Sequence, residues 1–508
     1  MTTKIHICIM QPAGYIHSQG FLDPARYTRH QLRKFGADVS IGKNRLREDS
    51  INIIFGAHLG FPEYLRQRYA CVFFNLEQIG EGGATLDESY LALLSSSPVI
   101  DYDENNLPGY GGHAGNVSIA SFKHAPYLNS EPSLPLSERP IDLLFFGSVN
   151  ARRESLINRI NETGWQVARF DHPIYSDERD DFIRQSKAVL NCHFYESGRF
   201  EQIRAFQTLS LKTPVISGRS DNTSPPVHFE ECVTWLCEDK ALEDFFRNDF
   251  MTPKWQARAQ QQIRRFEENT SGDSDWEHVL KTCESFNKHA KFRKSCQAWR
   301  PKNINLGSGK DYKTGWLNID ILDSSQPDLK LDLSQKIEFP LTAKGLDGSS
   351  ITLEAGCVEK IYANNVLEHV PDLPCLMTNL LTLLTDGGDL EIEVPYEKSI
   401  TAWQDPTHVR ALNENSWLYY TGWFWYLGWF NHRFEMKSLT WLDIDLTPCE
   451  KSSAAFMRVA LKKMTTTPRE RSIARTMRPD FCLSSDAQNI NHAGGEKSQS
   501  LMLTNLLA

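Results

Sequence analysis

Residues 304–309 read Ile304-Asn-Leu-Gly-Ser-Gly309, and residues 317–320 read Leu317-Asn-Ile-Asp320. A short apolar run ending in two glycines, followed by one ending in a carboxylate, is how an α/β sheet presents a nucleoside at the carboxyl ends of neighbouring strands. Glycine lets the backbone approach a ligand with no Cβ in the way. An acid closing the next strand can accept both ribose hydroxyls. Gly307, Ser308, Gly309 and Asp320 are therefore candidate binding residues. A dinucleotide site would want a third glycine at position 312, opening a helix under a pyrophosphate. Tyr312 stands there, and Asp320 follows Gly309 by eleven residues, against roughly 20 in the dinucleotide fingerprint.

A ligand without a pyrophosphate fits better. S-adenosylmethionine (SAM), a nucleoside joined to an amino acid, needs only the glycines and the ribose acid. Asp332, in Leu331-Asp-Leu333, is placed either to meet the adenine amino group or to cap a turn. The segment Lys360-Ile-Tyr-Ala-Asn-Asn365-Val-Leu-Glu368-His369-Val370 reads as a strand entering a polar loop. A helical stretch to Leu384, the turn Thr385-Asp-Gly-Gly388 and the strand Leu390-Glu-Ile-Glu-Val-Pro395 follow. Together with Gln404-Asp-Pro-Thr-His408-Val-Arg410 and Ser416-Trp417, these ordered motifs make residues 301–464 resemble the class I SAM-dependent methyltransferases, especially the bacterial branch of surface-polysaccharide clusters. The resemblance implies a Rossmann-like domain with a mostly parallel sheet. It implies SAM held by Gly307, Ser308, Gly309, Asp320, Asp332 and Asn365, and acceptor contacts from Arg410 and Trp417. His369 and His408 are the base candidates, with a structural Glu368–His369 pair as the rival reading. Asn305-Leu306 departs from the family's acid before the glycine loop, and the short loop to Asp320 leaves the first helix truncated or absent. No metal-ligand cluster stands out, so methyl transfer without a metal is expected.

The 508 residues suit about three domain-sized units. A net charge of −9 argues against a nucleic-acid partner, which selects a basic field. Eleven cysteines with no Cys-x-x-Cys pair fit reduced thiols and a cytoplasmic location. The first ten residues read as a strand and not a leader. No uncharged apolar run approaches the ~20 residues of a membrane helix.

Residues 1–290 form a different part. Strand-like runs at 4–10, 39–41, 51–55, 70–75, 99–102, 141–146, 166–169, 188–192 and 213–217 alternate with amphipathic stretches, the pattern of parallel βαβ units. Two Rossmann-like lobes are expected, at about 1–135 and 136–266, with 267–300 closing the unit and leading onward. In Asp142-Leu-Leu-Phe-Phe-Gly147-Ser-Val-Asn-Ala-Arg152-Arg153 a buried strand meets a turn and a helix start. There the arginines are either diphosphate clamps or a solvated first turn. With Glu196, Phe200-Glu201-Gln-Ile-Arg204 and Thr213-Pro-Val-Ile-Ser217, this stretch is similar to the donor lobe of GT-B glycosyltransferases, CgeB-like ones in particular. The similarity implies a nucleotide sugar near Gly147, Arg152, Arg153, Glu196 and Glu201. Gln207 falls where that family has its ribose-binding glutamate, which leaves open a module that binds without catalysis. Glu77, after the strand at 70–75, is the candidate acceptor base.

The aromatic run from Trp417 to Phe430 is expected mostly to fill the core. One or two rings are left for a glycan, or for a membrane surface carrying a lipid-linked one. Residues 465–508 are polar and read as mostly disordered.

Overall fold

A computed structural model describes residues 2–113, 115–128, 134–237, 240–269, 274–290, 298–346 and 349–477. The chain divides into two compact units, Met1–Ser295 and Cys296–Ala508.

The first unit contains two sheets. One holds β1 (Lys4–Ile9), β2 (Asp38–Lys43), β3 (Ile51–Phe55), β4 (Ala70–Asn75), β5 (Val99–Asp101) and β6 (Val117–Ile119) in the order β2-β1-β3-β4-β5-β6. The other holds β7 (Ile141–Leu144), β8 (Val167–Ala168), β9 (Ser186–Asn191), β10 (Val215–Arg219) and β11 (Thr234–Cys237) in the order β11-β10-β9-β7-β8. All pairings are parallel. Counted within each lobe, both begin from the doubly wound order 2-1-3-4-5. The sequence dictates this through continuous apolar strands such as Ile51-Asn-Ile-Ile-Phe55, buried at every position because helices cover both faces. Sequence reading missed β6 and β11, which are three and four residues long and carry polar residues.

The lobes share a core. Phe206, on helix Gln202–Ser210 of the second lobe, stacks on Phe122 at 4.9 Å and lies 5.1 Å from Tyr27 of the first. Helix Ser274–Ala290 returns to the first lobe, where Trp276 donates to the Ser121 carbonyl. A shared apolar core resists the relative motion usual between loosely joined domains.

The second unit has seven strands in one sheet: β12 (Asn303–Leu306), β13 (Leu317–Asp320), β14 (Leu329–Lys330), then, after the hairpin β15 (Leu341–Lys344) and β16 (Ser350–Leu353), β17 (Val358–Asn364), β18 (Leu384–Pro395), β19 (His432–Leu442) and β20 (Phe456–Thr465). The order is β14-β13-β12-β17-β18-β20-β19, parallel up to β18, with β20 antiparallel to both neighbours. This is the doubly wound order 3-2-1-4-5-6 with one antiparallel strand inserted before the last. No helix joins β12 to β13, as the short loop required. The turn expected at 385–388 is the irregular start of β18, where Gly387 has φ +78°. Within the tail expected to be disordered, Pro468–Thr476 is instead a helix, because Thr467 and Glu470 form a capping box. Residues 478–508 lie outside the described residues.

Candidate functional site

In the second unit the order of strands turns back between β12 and β17, and the crevice outside their carboxyl ends is where such sheets take ligands. β12 runs into Gly307-Ser308-Gly309, with φ of +60° and +47° at the glycines. A Cβ on Gly307 would come within 2.4 Å of Val366 Cγ2, so the loop after β17 can pack here only against glycine. Asp320, buried at the end of β13, accepts the Gly309 N–H through Oδ2 (2.8 Å) and the Leu322 N–H through Oδ1 (2.9 Å). It pins the glycine loop, and each oxygen keeps a lone pair for a further donor. Ser308 is buried and its hydroxyl makes no hydrogen bond.

The other candidates diverge. Asp332 is exposed and caps its own turn, accepting from the Ser334 amide and hydroxyl and from Gln335. Against a burial cost, these bonds hold its carboxyl below the ordinary range. Asn365 opens the loop after β17 with φ +51° and is exposed. Trp417 corrects the sequence reading: it is fully buried in the core and cannot touch an acceptor, because an indole of that size fills the space under β18 and β20. Arg410 donates to the carbonyls of Val370 and Pro371, both at 2.6 Å, and so braces the loop after His369.

The structure also corrects the expectation that no metal-ligand set is present. Glu368 and His369, in the 3-10 turn Leu367–His369 that follows β17, meet His408 from a loop 39 residues onward, and one ligand atom from each lies within 4.8 Å of the others. The imidazoles pack edge-on at 4.7 Å. His369 Nδ1 is 3.0 Å from Thr407 Oγ1, and His408 Nδ1 is 2.9 Å from the Ala402 carbonyl. Glu368 is 2% exposed and neither carboxylate oxygen has a hydrogen-bond partner. Burial pushes its carboxyl up to about 7, with its own amide and His408 opposing.

The first unit carries a cleft of about 630 Å³ between its lobes. Glu77 lines it, as expected, with Oε1 3.6 Å from His58 Nε2. Asp101 supports that wall: it accepts from Asn75, Asn106 and Tyr110, while Asn106 Oδ1 accepts from the Ile79 amide. Across the cleft, Gly147 has φ +124°, and a Cβ there would lie 2.9 Å from Arg204 Nη2.

Of the expected charged residues, Arg153 and Glu201 line the cleft. Arg153 is buried, donates to the carbonyls of Cys192 and Ser148, and pairs with Glu201. Arg204 pairs with the other Glu201 oxygen at 2.5 Å. Arg153 lines the cleft, with its donors engaged by these carbonyls and by Glu201. Arg152 and Glu196 are exposed and do not line the cleft. Gln207 is buried and lines it, and its amide nitrogen has no partner.

Sequence reading missed Arg204, and it missed His58, which follows β3 much as Glu77 follows β4. The parallel placement was the available signal. It also missed Arg179, which reaches from helix Ser176–Arg184 to Asp23 of the first lobe at 3.0 Å.

Neither a family profile nor a curated protein matches the chain. Similar solved structures are of two kinds. Alr3699/HepE of Anabaena, solved with UDP and glucose, is 10% identical, with 56% of this chain and 100% of that one covered at a TM-score of 0.38. A glycosyltransferase from Rickettsia africae is 9% identical, with 56% and 99% covered and a TM-score of 0.36. A SAM-dependent methyltransferase from Archaeoglobus fulgidus is 13% identical, with 36% and 93% covered and a TM-score of 0.21. Likenesses of this size say nothing of activity, and the fold is carried by the sheets themselves. No helix among the described residues is long and apolar enough to cross a membrane.

Proposed function

We propose that the second unit is a SAM-dependent methyltransferase acting on a glycan or glycan precursor, and that the first binds a nucleotide sugar in its inter-lobe cleft. The observation that carries the first half is the glycine loop at the point where the strand order reverses. It has left-handed glycines, no Cβ tolerated at Gly307, and a carboxylate pinning it from the next strand. That geometry suits a nucleoside edge. The motifs shared with class I methyltransferases select SAM among nucleosides.

Transfer from a sulfonium needs alignment and exclusion of water more than acid–base chemistry, because the methyl group is already activated. A hydroxyl acceptor must also lose its proton as the new bond forms. The cluster of Glu368, His369 and His408 stands at the end of the strand beside the glycine loop, where such an acceptor would arrive.

A second reading holds for the first unit: it binds its ligand without turning it over. What favours it is the engagement of Glu201 by two arginines, together with Gln207 in place of a ribose-binding acid. A cytoplasmic location and a lipid-linked acceptor belong to the same proposal.

Calorimetric titration of the full chain with SAM, then with UDP- and GDP-sugars, tests both halves. SAM binding that weakens at least tenfold in Asp320→Ala is expected. Absence of SAM binding overturns the methyltransferase reading, and hydrolysis of a nucleotide sugar overturns the inactive-module reading.

A further inference from the structure

We propose that Glu368, His369 and His408 form a binding site for a divalent transition-metal ion. The argument is one of unmatched acceptors. Thr407 Oγ1 donates to Asp405 Oδ1 at 2.6 Å, so towards His369 Nδ1 it acts as acceptor. The Ala402 carbonyl can only accept from His408 Nδ1. Both rings therefore carry their proton on Nδ1 and present a lone pair at Nε2. The third group, Glu368, is buried with two oxygens that receive no hydrogen bond. With Glu368 ionised, three acceptors converge with no donor among them, and a buried carboxylate without a partner is costly. A cation resolves all three at once.

The donor set and its support match a metal site. Two imidazoles and one carboxylate hold zinc or iron where positions are left open for a substrate. The Nδ1–H bonds to a carbonyl and to a threonine backed by Asp405 are the outer contacts that orient metal-binding histidines. One nitrogen of each ring and one Glu368 oxygen lie within 4.8 Å of one another, so one point lies within about 2.8 Å of each (4.8 Å divided by √3). Bonds of ~2.0–2.2 Å then need side-chain movements of about 0.6–0.8 Å. Both histidines are part-exposed, so the open coordination positions face outward.

The site itself is independent of the methyl-transfer reading, but its role rests on that reading. An oxygen of the acceptor taken into an open position would be polarised and would lose its proton to solvent water more readily. Ligation replaces proton abstraction by either histidine.

The test uses full-length protein stripped with chelator and titrated with Co2+, followed by visible absorption and by thermal unfolding. One equivalent per chain is expected, with ligand-field bands and a raised Tm. Glu368→Gln and His408→Ala should each weaken binding at least tenfold and abolish the rise in Tm. Circular dichroism of the stripped variants establishes that they are folded. No stoichiometric binding, or binding unchanged in both variants, overturns the proposal. SAM titration of the stripped protein is read separately, so failure of the methyltransferase reading would leave the metal result standing.

Discussion

The two glycine turns of this chain, Gly147 in the first unit and Gly307–Gly309 in the second, follow parallel strands in the same way and are left in opposite chemical states. Around Gly147 the charges have found one another: Glu201 sits between Arg153 and Arg204, both buried, and the unmatched group in that cleft is the uncharged Gln207 amide nitrogen. Around Gly307 the Ser308 hydroxyl is without a partner, and so, in the turn after β17, is the Glu368 carboxylate. A strand–glycine–turn motif therefore does not by itself make a binding site. Capacity to bind depends on whether surrounding donors and acceptors are still available, since a buried polar group must be matched by the protein or by a ligand.

The contrast can be broken most forcefully at Glu201. Glu201→Ala leaves two buried guanidinium groups without their counter-charge, and the first unit should lose ~3–5 kcal/mol of stability. Urea unfolding measures this, and an unchanged midpoint would mean that the arginines are free to take a ligand anion. Gly307→Ala comes next. It meets both a left-handed backbone and the Val366 side chain. Strain and overpacking of ~1–3 kcal/mol each predict a second unit weakened by ~2–6 kcal/mol and unable to bind SAM.

Ser308→Ala sharpens the comparison because its two effects have opposite signs. Removing an unmatched buried hydroxyl should leave the ligand-free protein unchanged or up to ~1 kcal/mol more stable, while SAM affinity falls. If affinity is unchanged, the hydroxyl does not face the ligand. The smallest effect is expected at Trp423, which is 44% exposed. Trp423→Ala should change stability by no more than ~0.5 kcal/mol, as for other surface sites. A loss of glycan binding in that variant, seen by titration, would mark the exposed ring as an acceptor contact.

The aromatic run shows how far pattern carries. Trp417, Tyr420, Phe424, Trp429 and Phe430 are buried, while Tyr419, Trp423 and Tyr426 are exposed and touch one another. The expectation of a run mostly in the core matches this division, although three rings are exposed where one or two were expected. The choice of Trp417 as an outward ring does not. Short 3-10 segments give the run no steady helical period, so the sequence offers no face to read.

What the sequence by itself determined is what contiguous residues encode. Apolar strands with polar breaks marked parallel βαβ units. Paired glycines marked the turn at 307–309, and the brevity of the following loop meant no first helix. Only the tertiary structure decided which distant side chains meet. His408 comes to Glu368 and His369 from 39 residues away, and Arg153 reaches Glu201 across 48 residues. The physical reason is that propensity and periodicity act along the chain, whereas hydrogen-bond matching and burial act across it. Which acceptors are left unmatched is settled only once the strands have been laid side by side.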